Sequence, residues 1–502
     1  MAAARRMVVV GGDAAGMTAA SQARRLQGPD ELEIVAFERG DFSSYSACGI
    51  PYWIGGDVAQ RDDLIARTPE EHRERGIDLR MRTEVTALDL DGGRVRAREL
   101  PGRGDGSRDG TGTGDGARSG AELREYWTEF DDLVLATGAR PTRPPLPGID
   151  AEGVHGVQSL EDGQALLDAL ERADRRADGA ALRAVVVGAG YIGVEMAEAL
   201  VRRKYEVTVL DQAPQPMTTL DPDMGELVRE SMCDMGMEVV TDAAVTAIET
   251  AEPDAGGRKG DGREGDGRNG GRVTAVTTES ARYPADVVVL GLGVAPETSL
   301  AREAGLPLGA SGGLLTDLAM RVRGRENIWA GGDCVEVLDL VSGRTRHIAL
   351  GTHANKQGQV IGANIGGGYG TFPGVVGTAV SKVCDLEIAR TGLLEAQARA
   401  VGLQFVTVTA EATSRAGYFP GSRPMRVKML AERGTGKLLG AQIVGREGAG
   451  KRVDIAAVAL TAGMTVEQMT FLDLGYAPPF SPVWDPVLVA ARKATAAVKE
   501  RG

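Results

Sequence analysis

The chain of 502 residues carries a net charge of −13, and 42% of its residues are apolar while 25% are charged. This length predicts two to four domains, and the acidic balance argues against a nucleic-acid or anionic-membrane surface, because either would need a basic face. The apolar stretch at residues 7–10 is too short for a secretion signal, and no run approaches the roughly 18 to 20 apolar residues of a membrane span. We therefore expect a cytoplasmic protein with neither membrane nor nucleic-acid partners.

The first predicted unit is a βαβ nucleotide-binding element between residues 7 and 38. An apolar strand leads into a glycine-rich turn and a helix, and the next strand ends on Glu38, 22 residues after Gly16. Glycines there let a phosphate approach the helix start, and an acidic residue at the strand end binds ribose hydroxyls. The motif is incomplete, because only Gly11 and Gly16 match it and Asp13 replaces the second glycine.

A cysteine follows this unit directly, in the segment SYSACGIPY at residues 44–52. The four cysteines of the chain form no CxxC pair and no cysteine–histidine spacing, so we expect no metal site. Cys48, followed by Gly49 and Pro51, is expected near a helix or turn terminus. Backbone N–H groups at such a terminus stabilise the thiolate, which is the form that attacks disulfides.

The second nucleotide-binding unit, between residues 184 and 211, carries a complete GxGxxG motif. Gly188, Gly190 and Gly193 lie between a predicted strand and a predicted helix. Asp211 ends the next strand, 18 residues after Gly193. A carboxylate there can hold both ribose hydroxyls and repel a 2′-phosphate, which favours NADH over NADPH.

Two segments rich in glycine and charged residues, 101–120 and 254–272, interrupt predicted hairpins. They contain too few apolar residues to bury, so we interpret them as flexible surface insertions without chemistry. From about residue 352 the pattern changes to antiparallel-looking strands with two helices, which predicts a third, α+β domain.

Several segments resemble one family. Residues 131–141 and 327–334 look like the ATG strand and the GD motif of flavoprotein reductases. The segment around Cys48, the tail at 475–486 with residues 417–421, and the helix segment 20–26 are similar to the CoA-disulfide reductase branch. The chain thus resembles the single-cysteine FAD-dependent pyridine nucleotide-disulfide oxidoreductases over nearly its whole length, apart from the two insertions.

This resemblance implies an α/β fold of glutathione-reductase-like architecture, with two Rossmann-like dinucleotide-binding domains and a C-terminal α+β dimerisation domain. The expected FAD-binding domain comprises residues 1–154 and 283–351. Residues 155–282 would form the NAD(P)H-binding domain, and residues 352–502 the interface domain of a homodimer with shared active sites.

The resemblance also implies roles for individual residues. The catalytic residues would be Cys48 and two tyrosines reaching the partner's site, Tyr418 and Tyr476. FAD would be bound by Gly11, Gly16, Glu38, Arg39, Thr137, Gly138 and Asp333. NADH, or NADPH in its place, would be bound by Gly188, Gly190, Gly193, Glu195 and Asp211. CoA would contact Gln22, Arg25 and Ser44, and no metal is expected.

The implied activity is NAD(P)H-dependent reduction of CoA disulfide or a related small disulfide. Hydride passes to FAD, and electrons then reach a mixed disulfide between Cys48 and CoA. Most family members use a CxxxxC pair, but Trp53 occupies the second position here, so the thiol works alone.

Three alternatives remain open. The first is an NADH-dependent CoA-persulfide or polysulfide reductase. The second is an NADH oxidase, which Ala14 makes less favourable, because the oxygen- and peroxide-reducing branch carries a histidine at that place. The third is a flavin electron-transfer or redox-signalling protein in which Cys48 is structural.

Overall fold

The computed structural model describes residues 4–101, 123–174, 181–251 and 271–501. The two predicted flexible insertions lie almost wholly outside the described residues. The strands that flank them are described, and each flanking pair is antiparallel, as expected for a hairpin.

The first sheet has five parallel strands. Its central strand is buried from Met7 to Val10, because helices and loops cover both faces, and a parallel sheet covered in this way needs a continuous apolar run. The strand order is Ile328–Ala330, Asp132–Leu135, Arg5–Val10, Leu32–Phe37 and Asp78–Arg80.

The second sheet repeats this arrangement, and its strand order is Glu238–Val240, Glu206–Leu210, Arg183–Val187, Val287–Leu290 and Val154–Gly156. Val287–Leu290 pairs with the strand that leads into the second glycine loop. This differs from the predicted domain boundary at residue 283, because the strand Val287–Leu290 lies within the second sheet. Residues Val154–Gly156 also join this sheet, on its edge.

The C-terminal region forms an antiparallel sheet, as its alternating pattern predicted. The strand order is Ala379–Val383, Leu386–Gly392, Leu438–Gly445, Pro424–Glu432 and Phe405–Thr413. Helices Ala449–Thr461 and Pro486–Arg501 pack on it and share its apolar core. The expected α/β architecture, with two Rossmann-like parallel sheets and a C-terminal α+β domain, is therefore confirmed.

Smaller sheets complete the described chain. They are formed by Thr83–Asp89, Arg94–Glu99 and Glu125–Glu129; by Val245–Thr250, Val273–Thr278 and Arg282–Pro284; by Ala139–Pro141 and Val294–Pro296; and by Val337–Leu338 and Thr345–Arg346. The remaining helices are Ala14–Leu26, Ile50–Gly55, Pro69–Glu74, Leu160–Asp174, Tyr191–Arg202, Pro222–Asp234, Ser299–Glu303, Gly351–Ile365, Glu395–Ala400 and Val466–Thr470, with 3-10 turns at Ala47–Gly49 and Arg61–Leu64.

The short helix Ile50–Gly55 joins the two nucleotide-binding domains. Its Ile50, Trp53 and Ile54 are buried in the same core as the helix Tyr191–Arg202 of the second unit. This packing anchors the segment that carries Cys48 between the domains. Among the described residues, no helix has both the length and the apolar character needed to cross a membrane.

Candidate active site

The two glycine loops hold their acidic partners in the same way. Glu38 accepts hydrogen bonds from the backbone N–H groups of Gly12 and Gly40, both at 2.7 Å. Asp211 accepts from Ala189 at 2.6 Å and from Ala213 at 2.8 Å. Each carboxylate therefore ties the end of its strand to the adjacent glycine loop, and its position is set by backbone atoms.

The last glycine of each motif lets the helix approach the strand. A Cβ atom on Gly16 would lie 2.0 Å from the carbonyl oxygen of Gly11, and one on Gly193 would lie 1.9 Å from that of Gly188. Both distances are far below contact distance, so only glycine fits. These two glycines shape the loops from behind and do not line the cavity.

A cavity of about 1600 Å³ joins both loops and the Cys48 segment. Its volume exceeds the roughly 300 to 1000 Å³ that a single drug-sized ligand occupies, so the cavity has room for more than one such ligand. The predicted site residues that line it are Gly11, Glu38, Arg39, Cys48, Thr137, Gly138, Gly188, Gly190, Glu195, Asp211 and Asp333.

Hydrogen bonds between loops that follow different strands support the cavity wall. Thr137 donates its hydroxyl to the carbonyl of Glu297 at 2.5 Å. His347 Nε2 donates to the carbonyl of Asp333 at 2.9 Å. These contacts hold the ends of the first sheet's strands against neighbouring loops, and thereby orient Asp333 toward the cavity.

Cys48 lies in the 3-10 turn Ala47–Gly49 and is exposed to the cavity. The surrounding walls still remove bulk water, and this burial raises the pKa of the Cys48 thiol, with further contributions from the carboxylates of Glu195 and Asp333. The protein groups alone therefore do not stabilise the Cys48 thiolate, contrary to the expectation for a cysteine at a helix or turn terminus. One backbone hydrogen bond lowers the pKa, but burial and two acidic neighbours outweigh it.

Glu195 faces Cys48 from the second nucleotide-binding unit. It accepts a hydrogen bond from the hydroxyl of Ser381 at 2.7 Å, so the C-terminal sheet positions it. Burial, and secondarily Glu198, raise the pKa of Glu195, while the Ser381 hydrogen bond lowers it. The residue predicted as a nicotinamide ligand thus also belongs to the electrostatic surroundings of the thiol.

Three predicted CoA contacts lie outside the cavity wall. Arg25 Nη1 donates to Gln22 Oε1 at 3.3 Å on the helix Ala14–Leu26. The hydroxyl of Ser44 lies 2.9 Å from Nε2 of the buried His72. Since none of the three lines the cavity, their contact with a substrate remains a prediction.

Tyr418 and Tyr476 lie on the C-terminal domain and not on the cavity of their own chain. Tyr418 is 78% exposed and Tyr476 is 48% exposed. Slight desolvation and a hydrogen bond with Tyr418 raise the pKa of Tyr476. The structure therefore places the two tyrosines together but apart from Cys48.

Several cavity residues were not predicted from the sequence. Tyr45 and Tyr191 line it. Both lie inside the predicted motifs, so their position beside predicted site residues could have identified them. Glu297 also lines it, and no local pattern marks this residue. Its position depends on the pairing of Val294–Pro296 with Ala139–Pro141, two segments distant in the chain.

The residues present fit FAD and a nicotinamide dinucleotide. Each glycine loop has a partner carboxylate, and the middle glycine of the second loop leaves open space on its cavity side. On the side of the first loop, Glu38, Thr137, Gly138 and Asp333 line the cavity, and Asp13 is the one discordant group. Among the described residues, no cluster of three metal-ligating side chains exists.

Comparison with known proteins agrees with this geometry. The family described as pyridine nucleotide-disulphide oxidoreductase matches residues 5–358, and its dimerisation domain matches residues 378–486. The chain is 35% identical over 490 residues to the CoA-dependent NAD(P)H sulfur oxidoreductase of Pyrococcus furiosus, covering 97% of this chain and 98% of that protein. It is 34% identical over 493 residues to the NAD(P)H coenzyme A polysulfide/persulfide reductase of Pyrococcus horikoshii, with the same coverage.

A solved structure, that of an NAD-dependent persulfide reductase from A. fulgidus, superposes with a TM-score of 0.86. It shares 37% identity and is matched over 99% of this chain and 84% of its own. The chain belongs to the pyridine nucleotide-disulphide oxidoreductase family and is an FAD-dependent NAD(P)H oxidoreductase.

Proposed function

We propose that this protein reduces the sulfur–sulfur bond of a CoA-linked substrate with NAD(P)H, through a mixed disulfide between Cys48 and CoA. The supporting observation is a single cysteine on the cavity that joins both nucleotide loops, with Trp53 buried where a second cysteine would stand. A lone thiol cannot form an internal disulfide, so the small-molecule thiol must serve as its partner.

CoA disulfide is the first candidate substrate. The Cys48 thiolate attacks one sulfur of the disulfide, which forms the mixed disulfide and releases one CoA as its thiolate. FAD, when bound, supplies the electron pair that it receives as hydride from NAD(P)H. That pair cleaves the mixed disulfide into the Cys48 thiolate and a second CoA, and protons from solvent complete the balance.

CoA persulfide or polysulfide is the second candidate, and two of the compared proteins favour it. The Pyrococcus horikoshii relative and the A. fulgidus structure are both named for persulfide reduction. The same thiol chemistry applies: attack on the CoA-bound sulfur forms the mixed disulfide and releases hydrosulfide from a persulfide, or a shorter polysulfide from a polysulfide. An NADH oxidase of Methanocaldococcus jannaschii is also 34% identical, so oxygen is the third acceptor to compare.

Asp211 supports a preference for NADH. Both of its oxygens are held by backbone N–H groups beside the cavity, and its charge would repel a 2′-phosphate. Location in a reducing compartment such as the cytoplasm would keep Cys48 available as a thiol.

The first test is anaerobic oxidation of NADH with CoA disulfide or CoA persulfide, by the native protein and by Cys48→Ser. We expect at least one substrate to be reduced, and we expect turnover to fall by about a thousandfold in the variant, because it lacks the nucleophile. Cys233→Ser is the matched control, since Cys233 is an exposed cysteine outside the cavity.

Full activity of Cys48→Ser would contradict the proposal and favour the electron-transfer alternative. Faster NADH oxidation with oxygen than with either sulfur substrate would favour the oxidase.

A further inference from the structure

The two glycine loops can be compared position by position. Gly11 matches Gly188, and Gly16 matches Gly193. The end members play equivalent packing roles, as the close approaches behind Gly16 and Gly193 show. The middle position differs, because Asp13 stands in the first loop where Gly190 stands in the second.

The middle glycine has no role in packing the protein against itself. A Cβ atom on Gly190 would meet no other atom within 4 Å, yet Gly190 lines the cavity. Its missing side chain therefore leaves room for the ligand, and in this motif the group that approaches the second glycine is the pyrophosphate. Asp13 lines the same cavity, so it places a carboxyl group where the first loop should receive a pyrophosphate.

Other acidic groups surround Asp13. Glu38 faces it from the end of the neighbouring strand, and Asp333 faces it from the loop after Ile328–Ala330. The backbone N–H of Tyr45 donates to Asp13 Oδ1 at 3.3 Å. The charges of Arg39 and Glu161 shift the pKa of Glu38, and neither is among the main causes of the shift at Asp13.

These surroundings already disfavour a charged Asp13. Burial, followed by the charge of Glu38, raises the pKa of Asp13 to about 6, although hydrogen bonds to Tyr45 and Ala14 lower it. The Asp13 side chain does not cap the helix Ala14–Leu26. A pyrophosphate at this loop adds negative charge and shifts the balance further toward the neutral carboxyl.

We propose that Asp13 couples FAD binding to the uptake of one proton by its carboxyl group. The proposal rests on the assignment of the first glycine loop to FAD, and it is independent of the sulfur substrate. Once protonated, Asp13 becomes a hydrogen-bond donor toward a phosphate oxygen instead of a repelling charge.

The sign of the pH dependence follows from linkage. Because FAD favours the protonated carboxyl, its affinity is highest where Asp13 is already neutral, below about pH 6. Above that pH each bound FAD must bring in a proton, so the dissociation constant rises by about tenfold per pH unit. The rise ends where the carboxyl also ionises in the FAD complex.

The test measures FAD release from the diluted holoprotein between pH 5.5 and pH 8.5, by the fluorescence of free flavin. We expect the native dissociation constant to rise with pH above about 6, while Asp13→Asn binds FAD more tightly at pH 8 and with a flat profile. Asp13→Gly restores the residue type found at Gly190 and should behave in the same way. Asp30→Asn removes an exposed carboxylate beyond the helix and should keep the native slope.

A second measurement does not depend on FAD release. Infrared difference spectra between the native holoprotein and Asp13→Asn at pH 7 should show the band of a protonated carboxyl only in the native protein. A flat native profile, an unchanged slope in both Asp13 variants, or absence of that band would overturn the proposal. A change in NADH affinity without any change in FAD affinity would show that the first glycine loop does not bind FAD, and would overturn the proposal for that reason.

Discussion

Cys48 stands under two opposing influences. It opens onto the cavity and is accessible to a small disulfide, but burial and the carboxylates of Glu195 and Asp333 raise its pKa. Thiolate formation is therefore coupled to the protonation of its acidic neighbours. Burial also raises the pKa of Glu195.

Replacing Glu195 by glutamine should make Cys48 more reactive. Loss of the carboxylate charge lowers the pKa of the thiol, so the rate of alkylation at pH 8 should rise roughly two- to fivefold. The gain should shrink toward low pH, where Glu195 is protonated in the native protein. The readout is mass spectrometry of the Cys48 peptide after timed alkylation of the reduced protein.

Glu206→Gln provides the control, because Glu206 is exposed on a strand of the same domain. An equal or slower rate of Cys48 alkylation in Glu195→Gln would show that Glu195 does not set the thiol's charge state.

At the scale of elements, an ionic cluster around the buried side chains of Lys428 and Asp221 joins the second nucleotide-binding domain to the C-terminal sheet. Lys428 lies on the strand Pro424–Glu432. Its Nζ is 3.2 Å from Asp221 Oδ2, 2.5 Å from Asp223 Oδ1 and 2.8 Å from Glu395 Oε1. Asp221 also accepts a hydrogen bond from Gln442 Nε2 at 2.7 Å. The start of the helix Pro222–Asp234 is thereby fixed to the sheet that positions Glu195 through Ser381.

Lys428→Met should destabilise this junction strongly. The Lys428 side chain is 4% exposed and Asp221 is 3% exposed, so removal of the cation leaves a buried carboxylate unpaired, at a cost of roughly 3 to 5 kcal/mol. Urea denaturation followed by circular dichroism should show a lower midpoint. Lys451→Met removes an exposed pair with Asp454 and should change stability by less than about 1 kcal/mol.

An unchanged midpoint in Lys428→Met would mean that the cluster contributes no net stability. It would also imply that water reaches Asp221 once the lysine is gone.

At the scale of the whole molecule, the C-terminal domain exposes an apolar surface. Its large exposed side chains are Val458, Phe471, Tyr476, Phe480, Val483 and Trp484. Clustered exposed apolar side chains mark protein–protein contacts, and this region matches the family's dimerisation domain. We infer that the surface is covered by a second copy, which brings Tyr418 and Tyr476 to the partner's Cys48.

Two tagged heterodimers can test this sharing. In the first, one chain carries Cys48→Ser and the other carries Tyr418→Phe with Tyr476→Phe, so one of its two sites is complete if the tyrosines act across the interface. We expect about half of the native activity per dimer from it. In the second, one chain carries all three changes and the other is native; both sites are then damaged, and activity should be low.

The reverse order of activities would show that each chain completes its own site. A monomer in size-exclusion chromatography would contradict the shared site directly.

Much of the nucleotide-binding machinery was predictable from the sequence. Gly188, Gly190 and Asp211 lie within one short βαβ unit, so their spacing along the chain carries the geometry, and Glu38 follows from the same pattern. Cys48 was identified from its immediate neighbours and the missing second cysteine at Trp53. Glu38 and Asp211 are local features, because backbone N–H groups of the glycine loop in the same βαβ unit hold each carboxylate.

Other properties depend on contacts between distant segments. The strand Val287–Leu290 belongs to the second sheet because it pairs with Arg183–Val187. No local sequence pattern shows this pairing. The raised pKa of Cys48 comes from burial and from carboxylates on two other parts of the chain. Spacing along the chain encodes how one loop folds, whereas the charge state of a thiol depends on which groups long-range packing brings to it.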